Sequence, residues 1–354
     1  MKKSKTTIAR ILGFEPNAAE LRAELSRETM DWEWFVKASS QLGVMTTAYC
    51  RLAQKGLLDL LPEDLNTYLS EITQINRNRN ETLLRQVKAI SVLFSTHKIN
   101  HVFTKGCALL ASGYYKDFGE RLIGDIDLLV GPTDLYKAEQ LLLSLGYTSA
   151  DSSLFGKYKN HRHLPRLVHS SWLGAVEIHS KLLRKEVHKL LHPHEVIANR
   201  ITINQVYVPD AKTNIDLLIL NHQVNNFGYK LKLVDFKSCY DSLVLDRQHK
   251  NLTTTNYRAS KYHRVFCNLK ALFFKTTHVN SSKLNTIIVK YFYKQINQNR
   301  VFRKIHLTVV KINLGLITCM EGVLLFVKNK HFRADVWKHK SEVVKLITGG
   351  SKPK

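Results

Sequence analysis

Two carboxylates, Asp125 and Asp127, stand in the segment IGDIDLLVGP, which spans residues 123–132 and is otherwise mostly apolar. Alternate side chains of an extended strand point to the same face, so this spacing places both acids on one face, roughly 7 Å apart. The opposite face would be lined by Ile126, Leu128 and Val130. Because buried carboxylates repel each other and are costly when unpaired, the sequence predicts a cation between or beside them.

A third acid, Glu177, occurs in a similar setting in the segment AVEIHS. Its apolar neighbours Val176 and Ile178 would share one face of a strand, and the other face would carry Glu177 and His179. Three carboxylates on adjacent strands would supply the oxygen ligands that Mg²⁺ prefers when it also binds phosphates. The sequence therefore predicts a divalent-cation site.

A structural interpretation of these residues stays open. Asp125 and Asp127 could instead cap loops, or they could form ion pairs. Their partners would then be the cations Arg121 and Lys105. For His179, which shares the predicted face of the third acid, a structural role is favoured over contact with a substrate.

The elements around these acids predict a small mixed α/β sheet flanked by helices. Apolar residues spaced three and four apart predict an N-terminal helical region, residues 1–98, whose helices end at Gly43 and Gly56. Residues 99–192 then alternate helices with short strands at HVFTKG, DIDLLV, RLVHSSW and GAVEIHSKL. The last two strands would form a hairpin that turns near Gly174.

Helical patterns return after the predicted sheet. Residues 193–250 predict a helical cap, an antiparallel helix pair joined near Gly228, and residues 251–354 predict a basic, mostly helical region. The predicted fold class is therefore α+β, with a small mixed-sheet core between an N-terminal and a C-terminal helical region.

Length and composition indicate a chain with buried cores and free thiols. Its 354 residues are 44% hydrophobic, enough for two or three domains. The five cysteines lie far apart without a Cys-x-x-Cys pair, so we expect free thiols in a reducing compartment. We expect neither a signal peptide nor a membrane span, because the most apolar late stretch, residues 305–327, is interrupted by Lys311, Asn313 and Glu321.

The positive charge is concentrated near the C-terminus. The chain carries a formal net charge of +24, and residues 251–354 hold 20 Lys plus Arg against three acids, or 17 of the 24 excess charges. Such a region attracts polyanions, whether nucleic acid, anionic lipid headgroups or acidic polysaccharide. A solvated basic surface without a partner is the alternative, since net charge indicates association and not chemistry.

Several short motifs together resemble a known superfamily. KGCALLASGYYKDFGERLIGDIDLLV, a helix ending in LGY, and VEIH follow one another as in the DNA polymerase beta nucleotidyltransferase superfamily, and most closely its uncharacterised bacterial branch. RNRNETLLRQ before them and LVDF after them agree in order, so the resemblance covers roughly residues 20–245. The basic C-terminal third lies outside it.

The resemblance implies a role for each matching residue. Asp125 and Asp127 would bind the metal ions that bridge a nucleoside triphosphate. Glu177 would hold the second metal and help to deprotonate the attacking hydroxyl. Lys105 and Gly106 would contact the triphosphate, the glycine through backbone N–H groups at a helix N-terminus.

Arg121 and Lys232 are further nucleotide-binding candidates. Arg121 could reach a phosphate, and its pairing with Asp117 or Asp125 is the alternative. Lys232 lies on the predicted helix pair that, in relatives, closes over the nucleotide.

The resemblance implies a Mg²⁺-dependent enzyme, with Mn²⁺ as an alternative ion. It would transfer a nucleoside monophosphate from an NTP such as ATP to an acceptor hydroxyl or phosphate and release pyrophosphate. The acceptor would be a sugar phosphate, a protein or another small molecule. Two other classes stay open: a catalytically weak binding or regulatory protein that engages a polyanion or partner through its basic region, and a metal-dependent phosphohydrolase.

The expected location is cytoplasmic. The basic C-terminal region would hold the protein at the inner face of an anionic membrane, or it would bind nucleic acid.

Overall fold

The computed structural model describes residues 2–15, 18–27, 30–150, 162–250, 252–255, 260–275 and 283–341. These residues fall into two compact units. The first lies within Met1–Ala150 and Arg162–Lys294, and the described part of the second lies within Gln295–Lys354. The residues of the candidate site all belong to the first unit.

The N-terminal region is helical, as its apolar spacing predicts. Its helices are α1 (Lys2–Leu12), α2 (Ala18–Leu25), α3 (Trp32–Gln41), α4 (Met45–Gln54) and α5 (Glu63–Thr96). Gly43 and Gly56, with φ of 67° and 66°, follow the ends of α3 and α4 in the left-handed region that favours glycine. The 34-residue helix α5 is the longest of the described elements and packs against the sheet.

A mixed five-stranded sheet forms the centre of the first unit, as predicted. The elements in this part are β1 (His101–Phe103), α6 (Lys105–Ala111), β2 (Ile126–Val130), α7 (Leu135–Ser144), β3 (Thr148–Ser149), β4 (Leu167–His169) and β5 (Trp172–His179). The spatial order of strands is β1-β2-β5-β4-β3, and β2 runs parallel to β5 while the other neighbours are antiparallel. The predicted hairpin of β4 and β5 is present.

The turn of that hairpin lies at residues 170–171, so the prediction of a turn near Gly174 is wrong. Gly174 instead lies inside β5, where α5 crosses the strand. A Cβ atom there would lie 2.5 Å from Leu83 Cδ2, a distance that real Cβ atoms do not show. The Gln86 side chain also bonds both backbone groups of Gly174, at 2.9 Å to its nitrogen and 2.8 Å to its oxygen. The glycine therefore serves close helix packing.

Further helices and a small hairpin follow the sheet. They are α8 (Pro193–Ala198), β6 (Ile201–Ile203), β7 (Val206–Val208), α9 (Ala211–Leu220), α10 (Gly228–Leu231), α11 (Phe236–Gln248), α12 (Leu252–Thr255), α13 (Lys261–Lys270) and α14 (Lys283–Gln298). Helices α9 and α11 pack together as the predicted pair, but their connection is longer than a turn at Gly228. It contains a π-helical segment, Asn221–Asn225, and α10.

One hydrophobic core joins the N-terminal helices, the sheet and the helical cap. Buried residues of this core come from all three regions, for example Phe35 from α3, Leu83 from α5, Leu128 from β2 and Phe236 from α11. The predicted N-terminal, sheet and cap regions therefore share one large hydrophobic cluster, to which both site strands contribute.

The described part of the second unit is helical and contains a long exposed helix. It comprises the end of α14, α15 (Arg300–Lys328) and α16 (Lys330–Lys338). By length and composition α15 could cross a membrane, and none of its residues is buried. The expectation that the chain has no stretch able to span a membrane is therefore wrong by this criterion. Between Ile305 and Val327 the only formally charged residues are Lys311 and Glu321.

Candidate active site

The three predicted acids meet at the parallel pair β2 and β5. Asp127 lies directly opposite Glu177 in the strand register, and Asp125 immediately precedes β2. His179, two positions after Glu177, points to the same place: its Nε2 lies 2.9 Å from Asp127 Oδ1 and 3.6 Å from Glu177 Oε2. One ligand atom from each of Asp127, Glu177 and His179 lies within 4.8 Å of the others.

Helix α5 holds the backbone that leads into Asp125. Asn80 Nδ2 donates hydrogen bonds of 2.6 Å to the carbonyl oxygens of Phe118 and Arg121. Arg79 donates to the carbonyl oxygens of Ile123 and Gly124, the second at 2.9 Å. These polar residues belong to the RNRN motif that the sequence places before the strand, so the motif positions the acidic segment.

Lys105 supplies the cation that the sequence requires beside Asp127. Its Nζ donates to Asp127 Oδ1, so the ion pair that the structural interpretation offered is present, and the role of Lys105 in triphosphate binding stays a prediction. Lys105 begins α6 with φ of 59°, a left-handed conformation that is uncommon for a residue with a side chain. Such backbone conformations cluster at functional sites.

Arg166 is a second cation at the acids, and sequence reasoning missed it. Its Nη2 lies 2.6 Å from Asp125 Oδ2 and 3.5 Å from Glu177 Oε1. It comes from the residue before β4, the strand beside β5. The signal in the sequence was weak, because a single arginine before a strand is usually a solvated surface residue.

The charges at the site favour ionised acids at Glu177 and Asp127. The hydrogen bond from His179 is the main cause that lowers the pKa of Glu177 to about 2, against the opposing effect of burial. Burial would raise the pKa of Asp127, but the hydrogen bond from His179 and the charge of Lys105 outweigh it, so this pKa is lowered. Both carboxylates are therefore charged and able to bind cations at neutral pH.

Asp125 differs from the other two acids. Burial raises its pKa, and the nearby charges of Glu177 and Asp127 raise it further, while Arg166 opposes them. Three carboxylates in one place thus repel one another, and an added divalent cation would relieve that repulsion.

Gly106 and Cys107 occupy the turn at the start of α6. Both are buried, and a Cβ atom on Gly106 would lie 3.2 Å from Ile123 Cγ1, so packing alone accounts for a glycine. The role of Gly106 in phosphate binding stays a prediction. Burial raises the pKa of the Cys107 thiol to about 12, which leaves it protonated and unreactive at neutral pH.

Arg121, predicted to bind nucleotide or to pair with Asp117 or Asp125, is engaged elsewhere. It is buried, and its guanidinium makes a bidentate contact with Asp241 of α11, with Nη2 at 2.8 Å from Oδ2 and Nε at 2.8 Å from Oδ1. Tyr115 Oη also donates to Asp241 Oδ1, at 2.9 Å. This buried network fastens the helical cap to the segment that precedes β2.

Lys232 of the helical cap is predicted to bind nucleotide, and Lys237 is a second lysine of the cap. Lys232 lies between α10 and α11, where its Nζ donates to the carbonyl oxygen of Tyr229 at 2.7 Å and lies over that ring. Lys237, in the first turn of α11, is close enough to Asp127 to interact with its charge. The charge of Arg121 and burial are the main causes that lower the pKa of Lys237, and the effect of Asp127 is the weakest.

The donor set fits a divalent metal ion. Two ionised carboxylates and an imidazole nitrogen converge, and Asp125 stands beside them with a further oxygen. Lys105 pairs with Asp127 and Arg166 pairs with Asp125, so positive charge already lies beside the carboxylate oxygens that would bind the ion. The arrangement suits ions that accept oxygen and nitrogen ligands together.

Comparison with known families agrees with this geometry. The family model described as "Uncharacterised nucleotidyltransferase" matches residues 28–274, more than half of the chain, and the matched range includes all of the site residues described above. A comparison with curated proteins gives no match. The chain therefore belongs to this nucleotidyltransferase family.

Proposed function

We propose that the protein is a metal-dependent nucleotidyltransferase that moves a nucleoside monophosphate from an NTP, ATP among the candidates, to an acceptor hydroxyl or phosphate. The observation that carries the proposal is the convergence of Asp127, Glu177 and His179 at the parallel strand pair, with two cations against the acids. Family membership supplies the reaction type.

The reaction balances without a covalent intermediate on the protein. The acceptor oxygen bonds to the α-phosphorus, the bond from that phosphorus to the bridging oxygen breaks, and pyrophosphate leaves while the acceptor proton passes to solvent. Because in-line displacement develops charge on phosphate oxygens, fixed positive charge supplies most of the rate.

Each residue of the site has a separate task in this proposal. Asp127, Glu177 and His179 would hold the ion with Asp125 beside them, and the ion when bound would neutralise phosphate charge and lower the pKa of the attacking hydroxyl. With a pKa of about 2, Glu177 is a weak proton acceptor, which favours its role as a ligand over that of a general base. Lys105 would pass from Asp127 to the triphosphate as substrate binds.

Mg²⁺ is the proposed ion and Mn²⁺ the alternative. Carboxylates and water suit both ions, but the imidazole of His179 is a donor that Mg²⁺ accepts less readily. An acceptor of the sugar phosphate, protein or small-molecule class, and a cytoplasmic location, belong to the same proposal.

A second candidate function has one observation in its favour. Lys105 and Arg166 already neutralise Asp127 and Asp125, so the acids do not need a metal ion to be stable in the fold. That arrangement would suit a binding or regulatory protein that keeps the fold with little catalysis.

Release of pyrophosphate from each NTP in the presence of Mg²⁺ or Mn²⁺, with and without candidate acceptors, tests the proposal. The parent should release pyrophosphate, Asp127→Asn should not, and the exposed Glu71→Gln on α5 is the matched control that should behave as the parent. Binding of NTP without any pyrophosphate release, equal in parent and Asp127→Asn, would support the second candidate instead.

A further inference from the structure

Helix α15 carries a continuous exposed stripe of large apolar side chains. The stripe begins with Val301, Ile305, Val309, Ile312, Leu316 and Met320. It continues with Val323 and Val327, and each of these residues is 57% to 69% exposed. Apolar residues singly exposed on a surface are ordinary, but a row that runs the length of a helix requires a partner that covers it.

The spacing of the stripe keeps it on one face of the helix. Successive members are four, four and three residues apart, a repeat of 11 residues. Since 11 residues make three turns plus about 20°, the row stays nearly parallel to the helix axis. The 29 residues of α15 span about 43 Å, so the apolar face is long and narrow.

The charged residues of α15 lie off the stripe, on a side that also carries the partly buried Leu307, Val310, Leu314, Ile317 and Leu325. Five cations and one acid lie along α15: Arg300, Arg303, Lys304, Lys311, Lys328 and Glu321. At 100° per residue they all project away from the apolar stripe. A helix that exposes one apolar stripe and carries its cations off that stripe can lie in the plane of an anionic bilayer.

We propose that α15 binds an anionic lipid bilayer by lying in its surface, with the stripe from Val301 to Val327 inserted among the acyl chains and the cations among the headgroups. Lipid is the proposed partner of the stripe because the five cations of α15 complement the negative charge of anionic headgroups. The stretch without a cation, between Lys311 and Lys328, has 16 residues and spans about 24 Å. It is shorter than the bilayer core of about 30 Å, which favours lying in the surface over crossing.

A cysteine on α15 allows this contact with lipid to be measured by labelling. Cys319 is exposed, whereas the other four cysteines are buried, so a thiol reagent labels one position of the folded protein. Cys319 lies 18 residues after Val301, which is five full turns, so it occupies the edge of the stripe. It also lies near the middle of the segment between Lys311 and Lys328, where a crossing helix would be deepest.

The test uses the full chain labelled at Cys319 with an environment-sensitive fluorophore. With vesicles of equal parts phosphatidylglycerol and phosphatidylcholine, we expect a blue shift that weakens at high salt and is absent with phosphatidylcholine alone. Lipids brominated near the headgroup should quench the fluorophore more strongly than lipids brominated near the chain ends.

Two matched variants separate the stripe from general charge. Leu316→Asp places a negative charge in the stripe and should weaken vesicle binding more than ~10-fold. Thr318→Asp places the same charge at an exposed position of the same helix away from the stripe and should weaken vesicle binding no more than about fivefold. Circular dichroism of both variants checks that the helix is retained.

Four outcomes would overturn the proposal. The first two are the absence of a blue shift with anionic vesicles and equal losses of binding in the two variants. The third is strongest quenching by bromines near the chain ends, which would indicate a crossing helix. The fourth is a blue shift that appears without lipid and depends on protein concentration. The last would assign the stripe to a second copy of the chain.

Discussion

His179 Nε2 and Asp127 Oδ1 lie 2.9 Å apart across the parallel strands β5 and β2, within hydrogen-bond distance. The same imidazole lowers the pKa of Glu177, so one side chain lowers the pKa values of two of the three acids. His179 is nearly fully buried, and its position two residues after Glu177 follows from the alternation of the strand. The residue that the sequence favoured as structural therefore stands among the groups that could hold a metal ion.

Replacing His179 by alanine should weaken Mn²⁺ binding by about 10–100-fold, because it removes the imidazole nitrogen that lies closest to both carboxylates. Titration of Mn²⁺ followed by electron paramagnetic resonance measures this. His163→Ala is the matched control, since its ring centroid is 5.0 Å from that of His179 but it is outside the converging group. Equal losses in the two variants would contradict a ligand role for His179.

Glu177→Gln should reduce turnover by ~10² or more while NTP affinity changes little. The amide keeps the size of the side chain but removes the charge that would hold a metal ion in the transition state. Single-turnover kinetics with a separate NTP binding isotherm distinguish the two effects. A comparable loss in both quantities would mark Glu177 as a ligand of the ground state only.

Lys237→Met should raise the KM for NTP about 10-fold, whereas Lys232→Met should change it less than about threefold. The reason is electrostatic: Lys237 interacts with Asp127, while Lys232 donates to Tyr229 within its own turn. Both lysines lie in the helical cap, so each is a control for the other. The reverse order of effects would restore Lys232 as the nucleotide-binding lysine of the cap.

Arg121→Met should lower the free energy of unfolding by about 3–5 kcal/mol, because it leaves Asp241 buried with an unpaired charge. The exposed fractions of the two side chains are 10% and 3%. Arg77→Met is the control, since the Arg77–Asp117 pair is about 30% exposed on each side and should cost no more than about 1 kcal/mol. Urea unfolding measures both, and a small effect for Arg121→Met would mean that the cap is held by packing alone.

Stability should fall as pH drops from about 6.5 to about 4 because of His101. This side chain is 1% exposed, and burial lowers its pKa from 6.5 to about 4. Between pH 6.5 and about 4 the histidine is therefore protonated in the unfolded chain but not in the folded chain. The free energy of unfolding falls by about 3 kcal/mol across this pH range.

His101→Phe removes this titration while keeping a ring against Phe94 and Tyr207. Thermal unfolding of the variant should depend less on pH between 6.5 and 4. The contribution of Glu177 lies in a separate window, since a pKa lowered from 4.5 to about 2 gives stability that is lost only as pH falls through that range. An unchanged slope in the variant would exclude His101 as the cause.

Local pattern predicted the parts of the site that lie within one strand. The alternation in IGDIDLLVGP and AVEIHS predicted which side chains share a face, and Asp125, Asp127 and Glu177 meet as expected. The sequence also required a cation beside the acids, and Lys105, one of the two cations that the structural interpretation offered, pairs with Asp127. These inferences rest on the two-residue period of a strand, which does not depend on the rest of the fold.

Residues that reach the site from other elements could not be predicted in the same way. Arg166 comes from the residue before the neighbouring strand, and no short spacing connects it to Asp125 or Glu177. Arg121 was misjudged for the same reason, because its partner Asp241 lies 120 positions away. Gly174 was predicted as a turn, because close packing against α5 cannot be read from the strand alone.

The pairing of β2 with β5 also has a consequence for the order in which the site assembles. The contact of Lys105 with Asp127 closes a loop of 22 residues, whereas that of His179 with Asp127 closes one of 52. Closing the longer loop costs about 0.8 kcal/mol more in chain entropy. Chain entropy therefore favours formation of the lysine contact before the distant strand pairs, so that Glu177 would meet an acid whose charge is already compensated.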